Sequence, residues 1–153
     1  MASIFDPVGI IAPILLPAKL ILQDTRRRRL EWDADLPEDC LATWKRWYKN
    51  INYLHKIRIL RCIIPVSCEL LSIQLHCFSY ASEFACGDVA YIHADVPHQV
   101  HCSLLLAKFR VAPLKSVTVP RLELVAVELC LEIAKHLQQQ LRVPISSTTY
   151  WTN

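Results

Sequence analysis

The sequence predicts an α+β fold: a helical N-terminal segment, then a sheet with one long helix packed on it. Three observations carry this. Apolar residues recur at helical spacing through the first fifty positions, they alternate from Lys56 onward, and "PRLELVAVELCLEIAKHLQQQL" restores the helical period over 22 residues. With 153 residues, 53% of them apolar, the chain suits one ordinary domain or two small ones and is too apolar for disorder.

The first helix is expected in "APILLPAKLILQDTRRRRLEW", from about Pro13 or Pro17, burying Leu16, Leu20 and Ile21. A second is announced by "DLPEDCLATWKRWYKNI", with Asp35 as its cap, Pro37 near the first turn, and Leu41, Trp44, Trp47 and Tyr48 on one side. Glu38 and Asp39 suit the positive end of its dipole. "KIRILRCIIPV" and "LLSIQLHCFSY" then alternate, the latter with Ile73, Leu75 and Cys77 on one face. "GDVAYIHAD", a polar turn at Asp95 to Gln99, and "VHCSLLLAKFRVA" complete an antiparallel meander. In the long helix Leu122, Val125, Leu129, Ile133, Leu137 and Leu141 form the buried stripe, and Glu128, Glu132, Lys135 and Gln139 face water. Pro144 ends that pattern, and "ISSTTYWTN" reads as a last strand.

Basic residues exceed acidic ones by only 17 to 14, which by itself argues for neither a nucleic-acid nor a membrane partner. Seven cysteines without a CxxC pair suit buried thiols in a reducing compartment. The apolar run Phe5 to Leu22 carries Asp6, Lys19 and three prolines, so it suits neither a membrane span nor a signal peptide. An intracellular protein without membrane contact is expected.

Glu123 is the acid that needs explaining. Its neighbours three, four and seven positions on are Ala126, Val127 and Cys130, so it lies on a buried margin, where an unpaired carboxylate costs several kcal/mol. A salt bridge to Arg121, Arg110 or Lys108 would account for it, and so would descent from a metal ligand. Arg26, Arg27, Arg28 and Arg29 have two readings as well: a sequence-independent phosphate contact, or a solvated helix end whose cations suit the C-terminal dipole. His93, His98, His101, Cys102 and Cys86 offer zinc-type donors, but "HQVHC" sends His101 and Cys102 to opposite faces, and ordinary strand residues are the better reading.

The segments "IFDPVGIIAPILLPAKLILQ", "LEWDADLPEDCLATWKRW", "SIQLHCFSYAS", "SLLLAKFRVAPLKSVTVPRLEL" and "YWTN" cover nearly the whole chain. Together they closely resemble the Pol polyprotein of BEL/Pao-type retrotransposons, in the region that follows the reverse transcriptase and is often labelled Pao retrotransposon peptidase. The resemblance implies a helical connection segment over residues 1–55 and a truncated ribonuclease H-like domain over 56–153, with an incomplete mixed sheet. It further implies a site where carboxylates hold two divalent ions ~3.5 to 4 Å apart, one activating water and the other stabilising the leaving oxygen. The family's first ligand, an aspartate in Asp-Ala-Ser, falls on Tyr80, and its second, in Pro-Arg-Leu-Glu-Leu, falls on Glu123. The third, in Thr-Asp-Ser, falls on Asn153. Only the glutamate is kept, and the two substitutes bring no formal charge to a metal site. Glu83 and Asp88 lie near Tyr80 in sequence, but in the turn and on the second strand, and are not expected to replace the lost ligands.

An aspartic-peptidase activity is not expected, since neither Asp-Thr-Gly nor Asp-Ser-Gly occurs. The expected protein is therefore a catalytically inactive ribonuclease H-like domain with weak, non-specific nucleic-acid binding through Arg26 to Arg29. Two alternatives stand: a metal-dependent ribonuclease H that cuts RNA:DNA hybrids, and a non-enzymatic interaction domain that self-associates through an open sheet edge. No cofactor is expected, or Mg²⁺ or Mn²⁺ where activity persists.

Overall fold

The computed structural model describes residues 4–59, 62–64 and 70–152. Three α-helices and one mixed four-stranded sheet make up the fold: α1 (Ala12–Arg27), α2 (Glu38–Ile51), β1 (Ser72–Ala81), β2 (Ala85–Val96), β3 (Gln99–Val111), α3 (Val119–Gln140) and β4 (Ser147–Thr152). Among the described residues no helix is long and apolar enough to cross a membrane.

Helix α1 begins with Pro13 in its first turn, where a missing N–H costs nothing, and carries Pro17 inside. Its buried face is Ala12, Ala18 and Ile21; Leu16 and Leu20, expected inside, are only half-buried because small residues set the close contacts. The Asp6 carboxylate receives the N–H groups of Ile10 and the N-cap Ile11, each at 3.0 Å, and so fixes the turn that leads into α1. At α2 the expected cap is corrected: Pro37, not Asp35, stands at the N-cap and no side chain caps it. Trp47 and Cys40 are its buried residues, while Tyr48 lies on the solvent side. The Trp47 indole N–H reaches the Ile14 carbonyl at 2.6 Å and joins the two helices.

Lys56, expected to open a strand, ends a short 3-10 turn, and Ile57 to Ile59 belong to no strand. The remainder of "KIRILRCIIPV" falls partly outside the described residues. From Ser72 the expected alternation holds, with Ile73, Leu75, Cys77, Ser79 and Ala81 buried and intervening side chains on the other face. β1 pairs antiparallel with β2, and β2 with β3. Pro97 and His98 form the β2–β3 turn, where His98 takes φ 69 after a residue whose φ is fixed. Leu105 is the extra residue of a bulge opposite Ala90 and Tyr91.

β4 pairs parallel with β1, giving the order β3-β2-β1-β4. β3 and β4 therefore point the same way, and the link between them must cross the sheet. α3 makes that crossing over one face. Its stripe includes the expected Leu122, Leu129, Ile133 and Leu137, widened by Ala126, Cys130 and Ala134, whose small size lets the helix approach β1 and β2. The main core lies there, around Leu75, Ile92 and Ile133, and a smaller cluster of Ala81, Cys86, Leu122 and Ala126 lies at the α3 N-terminal end.

The opposite face of the sheet is bordered by α1, which packs along β3. The Ala107 N–H donates to the Val8 carbonyl at 2.7 Å, and Gly9 takes φ 77 against the same residue. A Cβ on Gly9 would come within 1.9 Å of the Ala107 carbonyl oxygen, so glycine is required both for its conformation and for its lack of a side chain. Further along, the Gln23 amide donates to the Ala112 carbonyl, and the Lys19 ammonium lies 4.1 Å from the centre of the Phe109 ring.

Candidate functional site

The ends of β1 and β4 and the first turns of α3 converge, because β1 and β4 are parallel and α3 enters beside their carboxyl ends. A cleft of about 390 Å³ opens there, lined by Tyr80 from β1, Thr152 from β4, and Pro120, Glu123 and Leu124 from α3. Tyr80 and Glu123, expected to share a site, do so. Asn153 lies outside the described residues and follows Thr152 directly in sequence.

Glu123 is half-buried, and among the described residues it forms no ion pair. The expected salt bridge to Arg121, Arg110 or Lys108 is therefore absent there. On β3, Arg110 and Lys108 are held in register with Cys86 and Asp88. Tyr80 is 59% exposed, so its phenol stands at the cleft mouth and does not fill it.

Glu123 is the sole carboxylate among the described lining residues; the other polar side chains are a phenol and hydroxyls. Two dications in close proximity need several negative ligands to offset their repulsion. This donor set does not fit such a centre.

The sequence singled out Asp88 only to discount it, and its position is unusual for another reason. It is 4% exposed on the α3 side of the sheet, cross-strand from Ser79, with neither carboxylate oxygen in hydrogen-bonding geometry. Burial pushes its pKa up to about 6, against the opposing pull of the Ser79 hydroxyl and the Arg110 charge. The Cys130 thiol nearby is pushed up to about 12 by burial, Cys77 and Asp88, which makes it a packing group, not a nucleophile. Glu83 is exposed in the β1–β2 turn.

The arginine cluster divides. Arg26 and Arg27 end α1, Arg28 caps it, and Arg29 follows at φ 55, all exposed. Arg28 bridges Asp24 at 2.8 Å and Asp39 at 2.5 Å, which raises its pKa further and holds Asp39 below the usual carboxylate range. Asp24, Asp39 and Cys40 are also the one group of metal-capable side chains that converge among the described residues, and the Arg28 guanidinium already bridges both carboxylates. His93 and Cys102 pair across strands while His101 lies in register with Ala94, so the zinc-type donors do not gather. Of the cysteines, Cys40, Cys77, Cys86 and Cys130 are buried as expected, but Cys62 and Cys102 are exposed. Cys68 lies outside the described residues.

A mixed sheet in the order β3-β2-β1-β4, crossed by one long helix whose acid meets the ends of β1 and β4, defines a ribonuclease H-like α+β protein. The chain belongs to the Pao retrotransposon-like RNaseH-like domain family, whose model matches residues 1–153. No curated protein and no solved structure matches it.

Proposed function

We propose that this ribonuclease H-like domain no longer cleaves phosphodiesters and that its remaining role is to contact nucleic acid. The observation that carries this is the Glu123 cleft: one carboxylate, faced by the Tyr80 phenol, where the family resemblance calls for several acids. Asn153, by its chemistry, adds an amide and no charge. Binding without cleavage falls to Arg26, Arg27 and Arg29, since Arg28 is committed to Asp24 and Asp39. Such contacts are independent of sequence and weaken with salt.

Cleavage of an RNA:DNA hybrid with Mg²⁺ or Mn²⁺ tests the reading. The unaltered chain is expected to leave the hybrid intact, and the double variant Tyr80→Asp/Asn153→Asp is the one in which activity would return. Cleavage by the unaltered chain that disappears in Glu123→Ala would overturn the proposal. Neutralising Arg26, Arg27 and Arg29 together is expected to weaken hybrid binding and flatten its salt dependence.

A further inference from the structure

On the face away from α3, strand pairing aligns Phe78 with Trp151 and sets His76 beside it. Phe78 and Trp151 lie within 9° of parallel with centroids 5.9 Å apart, and His76 and Trp151 within 23° at 6.2 Å. The Trp151 indole N–H donates to His76 Nδ1 at 3.2 Å, and Tyr91 meets Phe78 edge-on. These contacts fix the rings as a row, yet Phe78 and Trp151 remain 40% and 50% exposed. They floor a groove of about 710 Å³, within the range of ligand sites, whose far wall is Ile10, Pro13 and Leu16.

We propose that this groove binds the bases of single-stranded nucleic acid. A near-parallel row of exposed rings extends naturally by one more flat ring, and every base offers a π-face regardless of sequence. Duplex bases are already stacked, so the preference is for single strands. Charge agrees with the choice. Lys108 and buried Asp88 are cross-strand partners whose side chains lie on the α3 side, so the cation at the groove is Lys19 at the Phe109 rim, and among the described lining residues an anionic backbone meets no exposed carboxylate. The groove also shares Ser79, Tyr80 and Thr152 with the Glu123 cleft, which makes the two one continuous surface with Tyr80 at the divide. Stacking here is independent of whether the cleft cleaves or the arginines bind.

The test compares the full chain's affinity for a short oligothymidylate, an abasic strand with the same phosphates, and a duplex, by fluorescence anisotropy. An oligouridylate arm separates DNA from RNA as the source of the bases. The unaltered chain is expected to prefer the base-bearing strand to the abasic one by about ten-fold or more. Phe78→Leu and Trp151→Leu, which keep an apolar side chain, are expected to erase that preference while leaving duplex affinity and the far-ultraviolet circular dichroism unchanged. Ultraviolet crosslinking should attach the strand to the peptide containing Trp151. Equal affinity for base-bearing and abasic strands would overturn the proposal. So would a preference untouched by both leucine variants, or a Phe78→Leu effect confined to self-association. Neutralising the arginines lowers affinity for both strands alike, so failure of the arginine reading is distinguishable from failure of this one.

Discussion

A single buried side chain can set how stability changes with pH, and Asp88 is placed to do so. Its folded-state pKa is raised from 3.8 to about 6, so the folded protein favours the neutral acid. The resulting stability is fully present below about pH 4 and is lost as pH rises through about 6. Above that range the buried charge costs on the order of 2–3 kcal/mol. Asp88→Asn is therefore expected to raise the urea midpoint near neutral pH, with the gain vanishing near pH 4; a constant difference across the series would refute the assignment. The alternation around Ser79 and Asp88 was legible, but their burial was not, because it depends on α3 lying over that face. Glu123 was the opposite case. The apolar positions after it on its own helix marked it out, whereas its lack of an ion partner among the described residues follows from where β3 ends up, which no local spacing encodes.

Among the elements, the segment before α1 is the one whose role a sequence pattern leaves hidden. "FDPVG" shows only an apolar run broken by an acid and a proline, yet its Asp6 accepts the N–H groups leading into α1 and its Gly9 lies against a carbonyl of β3. Gly9→Ala faces both an unfavourable φ and a collision with backbone, so a loss of about 1–3 kcal/mol is expected by thermal or denaturant unfolding. Stability equal to the unaltered chain would show that α1 can leave β3 freely. α3 was the most legible element, since 22 residues of helical period leave little ambiguity. The stretch after α2 was the least, because "KIRIL" alternates as a strand does but gains no partner at Ile57 to Ile59. Alternation marks a face to bury; only a neighbouring strand makes it a ladder.

At the scale of the whole molecule, β4 is an edge strand with no partner beyond it among the described residues. Ser147–Thr152 contains no charge, no proline and no glycine, and β-branched or aromatic residues fill most of it. Such an edge pairs readily with another strand. Concentration-dependent self-association is expected in sedimentation experiments, and Tyr150→Lys, which places a charge on that edge, should reduce it. A chain that stays monomeric at all concentrations would refute this. The meander, the crossing helix and the final strand were readable in order along the chain. The family resemblance anticipated a mixed sheet and a shared site for Tyr80 and Glu123, whereas the parallel pairing of β4 beside β1 that brings them together with Thr152 is a finding of the fold that periodicity does not encode.

The tie between Gly9 and Ala107 bears on how such pairing would end. The N-terminal segment occupies part of the outer margin of β3, so β3 of one copy is hindered from accepting β4 of the next. Any association at the sheet edge would then be steered to β4 against β4, a two-fold arrangement that closes at two copies. Removing the strap would free a second, unlike margin, and head-to-tail stacking has no such stopping point. The glycine that fits where no side chain can would thus separate a finite pair from an open-ended filament.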